Sequence, residues 1–343
     1  MASVLVVTRD PVLRDEVTRL AAAAGVAVCS AGDAASALRR WSVAELVVVG
    51  ADLADPFAEL DPPRRSQVVV VASGPAADPA FRAALALGAE QVVSLPDSGP
   101  WLTARMADLG DERARPGRVV GVVGGSGGAG ATTFACALGQ VGARTGPVLV
   151  VDLDPLGPGL DRVLGLDERT GARWDDLDRT AGRLGARALR DAVPGRDGLG
   201  VLTWSAGSAS GPAPATVREC VSAARRGHDL VVVDLPRSLD PRVDEVLVRC
   251  DVVLVLVRPT LASTAAAVRL VGRLPDLGTV GLVARGSGVD PGDVSAVTGV
   301  PVLAEMADQR RLAEWVDLGL GPAPGRRGPL ARAAAHVLAQ VAA

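Results

Sequence analysis

Lysine, isoleucine, asparagine and tyrosine are absent from this chain of 343 residues, so all 36 of its basic residues are arginine. The four missing residues share AT-rich codons, and their joint absence reads as the imprint of a GC-rich genome. Cysteine is scarce. Cys29, Cys136, Cys220 and Cys250 stand far apart, without the paired spacing that zinc or redox motifs need, and are expected to be buried packing residues. Long apolar runs are lacking too: VVLVLV at Val252–Val257 falls far short of the roughly 18 residues a membrane-crossing helix requires. The N-terminus MASVLVVTRD does not follow signal-peptide order, which gives a cytoplasmic expectation. Strong charge of either sign is missing as well. The net charge is −3, and no basic run singles out nucleic acid as a partner.

What the chain does have is valine. Short runs recur at 4–7, 46–49, 68–71 and 91–93, each followed by a stretch rich in Ala, Leu and Arg that suits a helix. Runs apolar on both faces fit parallel strands covered by helices on both sides. The alternation predicts a doubly wound α/β domain over residues 1–107. A charged stretch at 108–118, containing Pro116 and Gly117, breaks the pattern and is expected to be a linker. The alternation then resumes at 119–123, 148–151, 200–204, 230–233, 252–257, 280–284 and 300–303, predicting a second, larger α/β domain over 119–343. A content of 48% hydrophobic residues is enough to build both cores.

The segment VVGGSGGAGATT, Val122–Thr133, joins a predicted strand to a predicted helix, and two mechanisms compete for it. Gly125, Gly127 and Gly130 satisfy G-x-G-x-x-G, with Asp152 or Asp154 roughly 20 residues further on, as a dinucleotide fingerprint asks. Alternatively, the glycine amides and the helix N-terminus cradle phosphates while a hydroxyl from Thr132 or Thr133 serves magnesium. The dinucleotide reading has no use for those threonines. Two later apolar strands end in aspartate, in VLVVDLDP and LVVVDLPR, as a magnesium-nucleotide site requires.

With these three motifs in order, residues 118–343 resemble the MinD/ParA family of deviant Walker-motif ATPases, whose loop K-G-G-x-G-K-T-T falls on Ser126–Thr133 here. The resemblance implies a P-loop NTPase fold and ATP or ADP with Mg2+ as cofactors. It implies nucleotide binding by Gly127, Gly128, Gly130, Ala131, Thr132, Thr133, Asp152 and Asp234. It places the metal on Thr132, with Asp234 acting through a water, gives Asp154 the positioning of the attacking water, and has Asp152 support the site from below. Both family lysines are gone. Ser126 stands for the one that reaches across the dimer and Ala131 for the one that grips the phosphates, although Arg replaces Lys everywhere else. Losing such a charge typically costs ~2.7–4 kcal/mol, or about 100- to 1,000-fold in rate, so hydrolysis is expected to be weak or absent. Ala284 and Arg285 stand where the family reads adenine with Asn. An arginine able to replace the lysine would instead give an active ATPase, and Arg237, three residues beyond Asp234, is the one considered for that role.

Residues 2–107 resemble a CheY-like receiver domain that has lost its chemistry. Thr8 and Arg9 stand for its acidic pair, Gly50 for its phosphorylated Asp, Ala72 or Ser73 for its hydroxyl, and Leu95 for the Lys before Pro96. Asp10 and Asp52 lie nearby but out of register. A degenerate receiver fused to a MinD/ParA-like domain resembles the arrangement of CpaE and TadZ proteins. The lysine-free loop brings the chain near the actinobacterial CpaE-like and septum-site-determining group. That likeness implies partners in division, Tad pilus or secretion machinery, recruitment to pole or septum, and a homodimer. His228 and His336 have no second ligand or nucleophile beside them. The final stretch places Leu330, Ala334, Val337, Leu338 and Val341 on one helical face, expected to dock on its own domain because basic residues opposite the stripe are too few for a membrane surface.

Overall fold

The computed structural model describes residues 3–109, 116–178, 184–205, 211–238, 240–274 and 279–342. The chain divides into two compact units, Met1–Glu112 and Arg113–Ala343.

The first unit is a parallel sheet of five strands, β1 Ser3–Val7, β2 Ala27–Ala31, β3 Leu46–Gly50, β4 Val68–Ser73 and β5 Gln91–Leu95, in the order β2-β1-β3-β4-β5. Its strands are apolar on both faces because helices cover both. Leu5 and Val7 enter one core with Trp41 and Phe57, while Val4 and Val6 enter the other with Leu102 and Met106. β2 escaped the sequence pattern because it is an edge strand whose residues Val28, Cys29 and Ser30 are only partly buried or exposed.

The second unit contains β6 Arg118–Gly124, β7 Val148–Asp152, β8 Gly195–Arg196, β9 Leu199–Leu202, β10 Leu230–Leu235, β11 Val252–Val257, β12 Thr279–Arg285 and β13 Val302–Met306. Their order is β13-β12-β11-β6-β10-β7-β9-β8, and all pair in parallel except the two-residue β8, which runs antiparallel to β9. Seven of the eight follow apolar runs in the sequence; β8 has no such run. The strand expected at 300–303 lies at 302–306 instead, with Ala304 and Met306 facing the core and Glu305 outside. Again the two faces feed two cores: Val120 and Val122 of β6 pack with Phe134 and Leu138, and Val119 and Val123 with Trp174 and Val217.

Of the charged stretch 108–118, Asp108 and Leu109 close the helix Gly99–Leu109 and Arg118 opens β6, while 110–115 lie outside the described residues. The last helix, Pro329–Ala342, sends Leu330, Ala334 and Val337 into the core beside Phe134, with Leu338 and Val341 packed against its margin. Among the described residues no helix is long and apolar enough to cross a membrane.

Candidate functional site

In the second unit the path of the chain reverses at β6, with β11 on one side and β10 on the other, and the carboxyl ends of strands at such a switch point form the crevice where open α/β sheets bind ligands. The glycine loop leaves β6 there. Gly125 is pinned first: its amide donates to the Leu256 carbonyl at 2.8 Å, and a Cβ on it would come within 3.0 Å of the Ala267 Cβ, so the loop passes too close to the neighbouring helix for a side chain. Gly127 and Gly128 are different, because a Cβ on either would meet nothing within 4 Å. Their backbone borders open space. Gly128 and Gly130 hold φ at 71° and 97°, a left-handed turn that glycine adopts without steric cost. The helix Ala131–Gly142 then begins, and the first-turn amides of a helix, which have no intrahelical partner, favour anions.

Thr132 and Thr133 follow on the first turn, both half-buried. The Thr132 side chain acts on the Asp234 carboxylate and favours its ionised form. Asp234 lies opposite Asp152 in the β10–β7 register, and the two are almost fully buried. Burial pushes the Asp234 carboxyl up to about 8, with Thr132 opposing the shift and Asp152 and Asp154 adding to it. Asp152 is pushed up to about 6, also by burial, and its smaller rise has a visible reason. Its carboxylate accepts hydrogen bonds from Thr203 Oγ1 at 2.7 Å, the Asp154 amide at 3.1 Å and the Leu160 amide at 3.3 Å, each favouring the ionised form. Trp174 Nε1 donates to the Asp152 carbonyl at 2.7 Å. Asp152 thus organises the loop that carries Asp154, and Asp154 stands half-exposed in an Asx turn, accepting from the Leu156 amide at 3.0 Å.

The loop, Thr132, Asp152, Asp154 and Asp234 therefore converge at the ends of β6, β7 and β10. Among the described residues no group of three or more His, Cys, Asp or Glu is arranged to hold a metal unaided. A cation here would need the ligand's own oxygens alongside Thr132 and Asp234.

The lysine positions read differently in three dimensions. Ser126 does not face outward but shares a hydrogen bond of 2.8 Å with Ser263 Oγ, which also accepts from the Arg258 amide. Ala131 offers a methyl group. Arg237 is exposed and has no hydrogen bond or ion pair among the described residues. Arg285, at the end of β12, reaches the loop instead: its Nη1 donates to the Ala129 carbonyl at 3.4 Å and its Nε to Asp308 Oδ1 at 2.9 Å. Neither the Asp152 partners Thr203 and Trp174 nor this contact was anticipated from sequence, where each sits alone in an unremarkable run.

In the first unit the out-of-register aspartates fold back onto the strand ends. Thr8 Oγ1 donates to Asp52 Oδ1 at 2.7 Å and the Arg9 amide to Asp52 Oδ2 at 2.7 Å, so both Asp52 oxygens are taken. Asp10 caps the helix Pro11–Ala23 and accepts from Ser73 Oγ at 3.2 Å. These carboxylates serve neighbouring hydroxyls and backbone amides. Thr8 is itself 2% exposed, so Thr8→Val should cost this unit about 1–3 kcal/mol by leaving Asp52 a donor short. Urea unfolding of the variant checks this, and an unchanged midpoint would contradict it. His228 is buried, with Nδ1 3.0 Å from the Ala224 carbonyl, as a packing residue.

Residues 7–118 match the family described as Rv3660c-like, CheY-like N-terminal domain. The whole chain is 39% identical over 341 residues to the uncharacterized protein Rv3660c of Mycobacterium tuberculosis, covering 96% of this chain and 95% of that protein. Among solved structures, a ParA family ATPase from Chlorobium tepidum superposes with a TM-score of 0.56 at 21% identity, covering 64% of this chain and 96% of that one. The septum site-determining protein MinD of Pyrococcus horikoshii, complexed with Mg-ADP, gives 0.54 at 22% identity, with 65% and 95% covered. These likenesses give a CheY-like fold followed by a MinD/ParA-type P-loop NTPase fold.

Proposed function

The chain belongs to the Rv3660c-like family, and from that premise we propose that it is a positioning protein of the septum-site-determining or pilus and secretion type, whose degenerate loop binds ATP or ADP with Mg2+ and hydrolyses it weakly or not at all. Its work is to be localised in the cytoplasm, at pole or septum, by protein partners, with the receiver-like unit as a docking surface and a homodimer as the assembled form. The observation that carries this reading is the loop itself. Open backbone at Gly127 and Gly128, the helix start and the Thr132–Asp234 pair fit a nucleotide's phosphates and their metal, while Ala131 withdraws the charge that stabilises phosphoryl transfer. Bound, the Mg-nucleotide would supply the charge that the buried carboxylates face. Gly127, Gly128, Gly130, Thr132 and Thr133 would hold its phosphates, Thr132 and Asp234 its metal, and Asp154 stands beside them.

The Thr132–Asp234 pair also favours this reading over a dinucleotide-binding oxidoreductase, which has no need of it. Calorimetric titration with ATP, ADP and NAD, with and without Mg2+, beside a phosphate-release assay, separates the readings. Magnesium-dependent ATP binding with little or no release is expected. Tight NAD binding would overturn the proposal, and brisk release would replace it with an active ATPase.

A further inference from the structure

The loop has lost its own cation, yet a guanidinium lies on it. We propose that Arg285 grips the phosphates of a nucleotide at this loop, reaching in from β12 and aimed by Asp308; the proposal rests on the loop being a nucleotide site.

Four observations place it there. Arg285 is the last residue of β12, and β12 is separated from β6 by β11 alone, so a long side chain can cross above β11 to the loop. Its backbone is fixed at that point, because the Gly286 amide donates to the Met306 carbonyl at 2.8 Å. The guanidinium then closes on the turn just before Ala131: Nη1 is 3.4 Å from the Ala129 carbonyl oxygen, and a Cβ on Gly130 would stand 2.7 Å from Nη1. Finally, Asp308 holds Nε at 2.9 Å while itself 60% exposed, and the Arg285 side chain is 24% exposed. The arginine is sheltered and oriented, but not buried away from a ligand.

The chemistry follows from the fork of the guanidinium. With Nε and Nη1 spent on Asp308 and the loop, Nη2 has no hydrogen bond among the described residues, and a planar, permanently charged group held by two anchors presents its last donors in a fixed direction. A phosphate beside Gly130 would take them as charge-assisted bonds. A lysine could not be held this way, since an ammonium has no second and third nitrogen to anchor. Asp152, Asp154 and Asp234 gather at the same strand ends, so a phosphate beside them gains from a nearby cation besides any metal. The arginine enters from the side of the loop, whereas the family lysine grows from the helix itself. It therefore contributes to binding, and the lysine's place beside the transferred phosphoryl group stays empty of charge, which is consistent with binding without turnover.

The experiment is a calorimetric comparison of ATP, ADP and adenosine, with Mg2+, on the full-length parent and on Arg285→Gln, Arg285→Lys and Asp308→Asn, each first shown by thermal melting to be folded. Arg285→Gln should weaken ATP about 10- to 100-fold, the scale of one or two charged hydrogen bonds. ADP should be weakened less, and adenosine within about 2-fold. Arg285→Lys should recover part of the loss, and Asp308→Asn should weaken ATP by less than Arg285→Gln does. Equal ATP affinity in Arg285→Gln and parent, or an equal loss for adenosine and ATP, would overturn the role of Arg285 while leaving the nucleotide site intact. A parent that binds no ATP at millimolar concentration would overturn the site and this proposal together. Should Arg285→Gln fail to fold, the salt dependence of ATP affinity in Asp308→Asn decides, because an arginine that does not touch phosphate leaves it as in the parent.

Discussion

Between about pH 4 and pH 8 the protein loses stability as the pH rises, and an Asp234→Asn variant loses much less of it. The cause is that Asp234 is raised from 3.8 to about 8 by burial. Across that window the folded protein keeps the proton while the unfolded chain releases it. Stability that is fully present below pH 4 is therefore drained as the pH climbs, by on the order of 5 kcal/mol for a shift of this size. Asparagine resembles the protonated acid, can still pair with Thr132, and does not titrate. Parent and variant should be similar at low pH and diverge toward pH 8. Asp152 adds its own smaller decline, ending near its value of about 6, and this part should persist in the variant. Thermal unfolding in chelator across this range tests the idea, and equal slopes for parent and variant above pH 6 would sink it.

Replacing Trp174 should be nearly as costly. Its indole is 1% exposed, packs in the core with Leu149, Leu153 and Val217, and donates Nε1 to the Asp152 carbonyl, while its own amide donates to the Thr203 carbonyl at 3.2 Å. Trp174→Ala loses both the packing and the hydrogen bond, about 3–5 kcal/mol. Trp174→Phe keeps most of the apolar volume but leaves the carbonyl without this donor, about 1–3 kcal/mol. The ordering Ala worse than Phe, read from urea midpoints, identifies packing as the larger part. If the alanine variant unfolded at the parent's midpoint, the indole would not be the wedge that fixes the loop carrying Asp154.

The sequence carried most of the architecture because buried parallel strands are written as unbroken valine runs, and both units are built from them. It missed strands where that condition fails. β2 is a half-solvated edge with Cys29 and Ser30, and β8 is two residues held by a turn. The loop and the three aspartates were legible for a similar reason: each needs a particular residue type at a strand end. The Arg285 contact was not, because it joins residues 156 positions apart and depends on which strand lies beside which. The sequence did mark Arg285 as standing where an adenine reader would be, and it looked for the compensating charge at Arg237, which the fold leaves in solvent. Likewise, Asp52 reads as misplaced against a receiver's acceptor in register. The first turn of the helix Ala51–Ala58 places its carboxylate against Thr8, where it works as a brace.

The antiparallel β8 has a meaning beyond the site. It ends the eight-stranded sheet with Gly195 and Arg196 only, preceded by Pro194 and followed by the tight turn at Asp197 and Gly198, both at positive φ. An open sheet margin is a template on which another chain can lay down a strand, and proteins guard such margins with short, turned or proline-flanked segments. Here the rung count is too small to seed that growth. Copies of this protein meeting at this margin would find no ladder to extend.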